Sequence, residues 1–346
     1  MPARRAPRLR SFFGFLTLAT LLAASPAFGE GVPREECFPV ERLEPAVRAK
    51  AEELLLRMLD REALYTLVGA VKPVSGSFWS YQFKMDEPDL AELDEARQAL
   101  AAVRCGDAYE AGVLVFDSAP GNLRSVHAWV SHKPSVRRML GEHQAFFAPY
   151  GISPSTPPTE LVEKMEHAPR ADRRASGHFY GSPDHAVDFF ISAENTRAES
   201  PDQKAFVPRD FISIPTFAGE TGHFVWAVPK GHQANEHDRD LIARSEPILA
   251  EYRRRRELYI GEGKPGVVAL LRDWFDDGYG RCAPENARFD GGSNVPLPIP
   301  VASPVLADAT SPAPAEAPAV APPAPVIYYY YEQPWVPTPA PALQAG

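Results

Sequence analysis

Residues 113–130, VLVFDSAPGNLRSVHAWV, contain two β-prone runs on either side of a proline–glycine turn. The runs at 113–116 and 126–130 are rich in β-branched and aromatic residues, which favour strands. Pro120 followed by Gly121 supplies the backbone dihedrals of a tight turn. The stretch therefore predicts an antiparallel hairpin, because strands joined by so short a turn run in opposite directions.

The sequence around this hairpin adds further strands, with helices between them. Trp79, Tyr81 and Phe83 alternate with polar residues, which predicts a half-buried single strand. A second hairpin is predicted from residues 211–217 and 223–228. The sequence predicts an α+β fold, with a mainly antiparallel sheet of one single strand plus two hairpins. About seven to nine helices are expected to cover this sheet.

The composition divides the chain into three parts. Residues 1–29 have the pattern of a signal peptide, and residues 30–290 are predicted to form an α+β globular domain. Residues 291–346 contain 14 prolines and no lysine or arginine, which predicts a disordered tail rich in proline and alanine. A segment rich in proline, serine and threonine leaves a subdivision of the domain near residue 155 open.

The first 29 residues indicate where the protein works. Four arginines within residues 4–10 precede an uncharged run at 11–24 that is too short to span a bilayer, and small residues follow the run. We expect a cleaved signal peptide and a secreted or periplasmic protein without a transmembrane anchor. Cleavage removes four arginines and no acid, which takes the formal net charge from −9 to −13. An acidic protein of this kind is not expected to bind nucleic acid.

Three cysteines, Cys37, Cys105 and Cys282, remain after cleavage, and two of them can pair in an oxidising compartment. The sequence leaves all three pairings open. The favoured prediction is Cys37–Cys282, because these residues lie near the two ends of the ordered region. A bond between them would restrict the unfolded chain by about 5 kcal/mol. The spacing of the cysteines does not predict a zinc site.

Familiar catalytic signatures such as G-x-S-x-G and H-E-x-x-H are absent from the sequence. The strongest chemical candidates are His178, His185 and Asp188, which surround a glycine turn. Two imidazoles and a carboxylate near the start of a helix are suitable ligands for a divalent metal ion. Within this group, His185 and Asp188 are the candidate catalytic pair for acid–base chemistry. A tight helix–turn–helix, with His185 and Asp188 as a surface pair, explains the same pattern without a ligand.

The tail contains a candidate binding motif. Residues 326–331 are uncharged and β-prone, and prolines flank them. The aromatic residues of the motif are Tyr328, Tyr329, Tyr330, Tyr331 and Trp335. Such a segment can add a strand to the sheet edge of a partner. The alternative is a sticky run that the flanking prolines keep from aggregating.

Four arginines at positions 253–256 form the strongest basic run. They are expected to spread around a helix, where Arg255 can pair with Glu251 and Arg253 with Glu257. An anionic envelope ligand is the alternative partner of these arginines.

The sequence favours a binding function over catalysis. We expect an exported soluble protein that binds an envelope component or a protein partner and uses no cofactor. The alternative is a metal-assisted hydrolase centred on His178, His185 and Asp188, which would hold a divalent metal ion. Convergence of these three side chains would favour the hydrolase.

Overall fold

The computed structural model describes residues 31–167, 174–200 and 206–287. The predicted signal peptide lies outside these residues, and so does the predicted tail with its tyrosines and Trp335. The described residues form helices and antiparallel strands, which confirms the predicted α+β class.

Ten α-helices occur in the part of the chain that the structure describes. They are α1 (Pro45–Asp60), α2 (Leu64–Leu67), α3 (Ala91–Leu100), α4 (Lys133–Glu142), α5 (Gln144–Phe147), α6 (Pro158–His167), α7 (Arg174–Phe179), α8 (Asp184–Glu199), α9 (Glu236–Tyr259) and α10 (Val267–Trp274). Two of them, α2 and α5, are single turns. None of the ten is both long and apolar enough to cross a membrane.

Seven strands accompany these helices in the described residues. They are β1 (Val32–Pro33), β2 (Val74–Lys84), β3 (Tyr109–Val115), β4 (Leu123–His132), β5 (Arg209–Thr216), β6 (Gly219–Pro229) and β7 (Arg281–Cys282). The predicted single strand lies within β2, and the two predicted hairpins are β3–β4 and β5–β6. β1 and β7 were not predicted, because strands of two residues carry no periodicity.

The hairpin β3–β4 belongs to a three-stranded antiparallel sheet with the order β2-β4-β3. Alternate residues of the central strand β4 enter different hydrophobic clusters: Val126, Ala128 and Val130 enter the larger one, and Trp129 enters the smaller one. Residues of α1 and α3 complete the larger cluster, and residues of α4 and α6 complete the smaller one. Apolar side chains therefore cover both faces of this sheet.

The strands do not join into one sheet. β5 and β6 form a separate two-stranded sheet, and β1 pairs with β7 in another. The inner face of β5–β6 contributes Ile214, Phe224 and Trp226 to the larger hydrophobic cluster. Burial of this face, rather than pairing with the three-stranded sheet, fixes the second hairpin to the rest of the fold.

The longest helix, α9, begins at a capping box. The Asn235 side chain accepts a hydrogen bond from the Asp238 backbone, and the Asp238 carboxylate accepts one from the Asn235 backbone, both at 3.0 Å. These bonds satisfy N–H groups that lack partners at a helix start. They also fix the Asp238 carboxylate where α9 meets α8 and β6.

The disulfide joins Cys37 to Cys105, not Cys37 to Cys282 as predicted. Cys37 and Cys105 face each other across an isolated antiparallel bridge, with their Cα atoms 4.0 Å apart. Cys282 is a buried free thiol whose backbone pairs with Val32 instead. The prediction was wrong because the β1–β7 strand pair, rather than a covalent bond, brings the two ends of the ordered region together.

We expect this pairing to be visible in a non-reducing digest of the purified protein. A disulfide-linked peptide pair should contain Cys37 and Cys105. Burial raises the pKa of the Cys282 thiol to about 11, so iodoacetamide should label Cys282 only after denaturation. Rapid labelling of Cys282 in the native protein would contradict the burial of this residue.

Candidate metal centre

Two glycines shape the connection between α7 and α8. A Cβ atom at Gly177 would lie 2.5 Å from Val187 Cγ2, so only glycine lets α7 approach α8 so closely. Gly181 has a φ of +76°, and a Cβ atom there would lie 2.9 Å from Pro73. The tight connection brings the end of α7 against the first turn of α8.

A cluster of two histidines and one aspartate lies at this connection, and we call it the His143–His178–Asp184 cluster. The His143 and His178 rings stack with their centroids 3.8 Å apart and an angle of 20° between their planes. Asp184 Oδ1 lies 3.4 Å from His178 Nδ1 and 3.9 Å from His143 Nε2. One donor atom from each residue lies within 4.8 Å of the other two.

His178 is the buried member of the cluster. Its side chain is 9% exposed, and Nδ1 has no hydrogen-bond partner among the described residues. Burial, followed by the charge of His143, lowers the pKa of His178. The imidazole is therefore neutral at pH 7, and neutral imidazole is the form that binds metal ions.

One distance in the cluster already suits a small divalent ion, and the stacked His143 and His178 rings must turn before both of their nitrogens point at the ion. A tetrahedral ion with donor atoms about 2.0–2.1 Å away holds those atoms about 3.4 Å apart. The distance from His178 to Asp184 already has this value. The Asp184 side chain is 69% exposed and accepts no hydrogen bond from any described residue. It is therefore free to move toward His143 and close the longer distance.

A second group consists of His185, His232 and Asp238, and we call it the Asp238 network. The Asp238 side chain is fully buried. Its oxygens accept hydrogen bonds from Trp226 Nε1 at 3.0 Å, from His232 Nε2 at 2.9 Å and from the Asn235 backbone. His185 Nε2 lies 3.2 Å from Asp238 Oδ1, and His185 Nδ1 lies 3.2 Å from Asn235 Nδ2.

The Asp238 carboxylate is satisfied without a ligand. His185 Nε2 makes no hydrogen bond with the described residues, but it lies 3.2 Å from this carboxylate, and the His185 side chain is 27% exposed. Burial raises the pKa of Asp238, but the hydrogen bonds from His232 and from the Asn235 amide outweigh burial and hold this pKa below its usual range. A metal ion at the carboxylate would displace these bonds and disturb the capping box of α9. We therefore interpret the network as a group that holds the start of α8 against the start of α9.

The structure separates the three residues that the sequence groups as one site. His178 belongs to the His143–His178–Asp184 cluster, and His185 belongs to the Asp238 network. Asp188 forms an ion pair with Arg174 of α7 at 2.5 Å. Residues three apart on a helix still differ in direction by about 60°. This angle lets His185 face the start of α9 while Asp188 faces α7.

Two of the three residues in the cluster were not predicted from the sequence. Asp184 is in the first turn of α8, and this position was the available signal for an acidic ligand. His143 lies between α4 and α5. No local pattern connects His143 to His178, because their contact depends on the packing of α4 against α7.

Comparisons of the chain with known protein families, with curated proteins and with solved structures find no match.

Proposed function

We propose that this chain is an exported protein that binds a divalent transition-metal ion at the His143–His178–Asp184 cluster. The signal peptide predicted for residues 1–29 supports export. The Cys37–Cys105 disulfide fits an oxidising compartment outside the cytoplasm. The proposal keeps the binding function expected from the sequence and names a metal ion as one ligand.

The observation that carries this proposal is the state of His178. Its side chain is nine-tenths buried, yet Nδ1 makes no hydrogen bond with the described residues, although Asp184 Oδ1 lies 3.4 Å away. An unpartnered buried polar atom is unfavourable by about 1–3 kcal/mol. An ion held by His178, His143 and Asp184 would satisfy Nδ1 and remove this penalty.

The donor atoms favour one class of ion. Imidazole nitrogen suits zinc, copper, nickel and iron, whereas calcium and magnesium need several oxygen ligands. The cluster offers two imidazoles and a single carboxylate. Zinc is therefore the appropriate probe, since three protein ligands are enough for an open zinc site.

Zinc titration of the mature protein, followed by calorimetry, tests the proposal. We expect one site with a dissociation constant of about 1 µM or below. His178→Ala and Asp184→Asn should each weaken zinc binding by more than about tenfold, because each removes a direct ligand. Circular dichroism should show that both variants remain folded.

His237→Ala provides the matched control, because His237 is an exposed histidine that belongs to neither group. This variant should bind zinc as the wild type does. The proposal would be abandoned if the wild type bound no zinc at 100 µM, an order-of-magnitude threshold. It would also be abandoned if His178→Ala and His237→Ala bound zinc equally well.

Metal-assisted hydrolysis is a second candidate function, and the number of ligands favours it. Three protein ligands leave the fourth position of a zinc ion open to water, as in catalytic zinc sites. Zinc-loaded protein should then hydrolyse p-nitrophenyl acetate faster than free zinc does, and His178→Ala should remove the difference. Equal rates for zinc-loaded protein and free zinc would leave metal binding alone as the proposal.

A further inference from the structure

A cleft of about 280 Å³ lies between β5 and α9, and its lining shares no residue with the metal cluster or the Asp238 network. Its floor is apolar, since Tyr65 of α2, Ile214 of β5 and Leu249 of α9 are at most 5% exposed. The Tyr65 hydroxyl donates a hydrogen bond to the Pro215 carbonyl, which fixes this ring under the cleft. The floor can therefore accept an apolar side chain without rearrangement.

One face of α9 forms the long wall of the cleft. The wall residues include Ile242, Glu246, Leu249 and Arg253, whose spacing of three or four places them along one helix face. Ser245 also lines the cleft, but its hydroxyl donates a hydrogen bond to the Leu241 carbonyl within the helix. The charged groups of this wall are therefore Glu246 and Arg253.

Arg253 differs from the other arginines in the run at 253–256. Arg254 and Arg255 form ion pairs with Glu251, and Arg256 forms one with Asp60. Arg253 forms no hydrogen bond or ion pair with any residue that the structure describes. In particular, it does not form the ion pair with Glu257 that the sequence predicts. A free guanidinium beside an apolar floor can bind a carboxylate.

Glu246 is the opposite charge on the same wall. It is exposed and, like Arg253, forms no ion pair within the described part of the chain. The two residues lie two helical turns apart, which separates them by about 10 Å along α9. Three residues of extended peptide span about 10 Å, so the two charges match the two termini of a tripeptide.

We propose that this cleft binds a short linear peptide with free termini and an apolar middle residue. Arg253 binds the peptide carboxylate, Glu246 binds the ammonium group, and the middle side chain packs on Tyr65, Ile214 and Leu249. The cleft volume of about 280 Å³ lies just below the usual range for ligand pockets, about 300–1,000 Å³, and therefore favours a peptide of this length over a larger ligand.

The test is calorimetric titration of the mature protein with the tripeptide Ala-Leu-Ala and with its C-terminally amidated form. The free peptide should bind with a dissociation constant in the range of about 10 µM to 1 mM. Arg253→Gln should weaken binding of the free peptide by about tenfold. It should not weaken binding of the amidated peptide, which lacks the carboxylate that Arg253 binds. Glu246→Gln should behave in the same way with the free and N-acetylated peptides.

Arg244→Gln is the matched control. Arg244 is exposed on α9 and pairs with Asp240, and its side chain is not part of the cleft. This variant should bind all peptides as the wild type does. The inference is overturned if no tripeptide binds at 10 mM, an order-of-magnitude limit. Equal effects of Arg253→Gln on the free and amidated peptides would overturn it as well. Both outcomes leave the zinc titration unaffected, since the cluster and the cleft share no residue.

Discussion

Replacing Asp238 with alanine should lower the free energy of unfolding by about 3–5 kcal/mol. The carboxylate is fully buried and accepts hydrogen bonds from Trp226, His232 and the Asn235 backbone. Removing it leaves these donors buried without a partner and deletes half of the capping box of α9. Loss of the carboxylate thus weakens the contact between α9 and both β6 and α8.

Urea unfolding followed by tryptophan fluorescence measures this effect, and Asp240→Ala is its control. Asp240 lies on the same helix, but its side chain is 58% exposed and forms only a surface ion pair with Arg244. Its replacement should change the free energy of unfolding by no more than about 0.5 kcal/mol. Similar losses for Asp238→Ala and Asp240→Ala would show that the Asp238 network adds little stability.

The network also predicts a pH dependence. Hydrogen bonds hold the pKa of Asp238 below its usual range, so the folded protein binds a proton there less readily than the unfolded chain. The stabilisation is present above the unfolded pKa of about 3.9 and is lost as the pH falls through the folded pKa. In urea unfolding from pH 7 to pH 3, the free energy of unfolding of the wild type should therefore fall by more than that of Asp238→Ala, which lacks the titrating carboxylate.

The sequence predicted the elements of the fold whose causes are local. The Pro120–Gly121 turn and the runs beside it gave the first hairpin, and the alternation from Trp79 to Phe83 gave a strand. These signals act within a few residues, so they can be recognised without knowledge of the tertiary structure. The division of the strands into separate sheets depends on which faces are buried together, and no local pattern carries that information.

The candidate site could be predicted only in part for the same reason. His178 was identified because histidines and acids crowd around a glycine turn. Its partner His143 comes from a different helix and meets it only when α4 packs against α7. The close approach of α7 to α8 at Gly177 is also a tertiary feature, since the glycine is required by contact with Val187. The sequence contains these residues but not their distances.

The cysteines give the second large expected effect, because a cross-link is lost only when a single thiol or none remains. Cys37→Ala leaves Cys105 and Cys282, and Cys105→Ala leaves Cys37 and Cys282. We expect the double variant Cys37→Ala/Cys105→Ala to lower the free energy of unfolding by about 4 kcal/mol, since the Cys37–Cys105 bond closes a loop with a sequence separation of 68. Urea unfolding of the oxidised proteins measures the loss.

Each single variant should lose much less stability, because Cys282 can take the place of the missing cysteine. The sulfur atoms of all three cysteines lie within 4.8 Å of one another, so Cys282 can pair with Cys37 or with Cys105 with little movement. Either replacement bond closes a longer loop and restricts the unfolded chain by about 5 kcal/mol, which matches or exceeds the native bond.

Non-reducing digests should therefore contain a Cys37–Cys282 peptide pair in Cys105→Ala and a Cys105–Cys282 peptide pair in Cys37→Ala. The two single variants are matched, because each truncates one fully buried cysteine to the same side chain. Losses in both single variants as large as that of the double variant, with two free thiols in each, would show that the backbone pairing of Cys282 with Val32 holds its sulfur away from the other two.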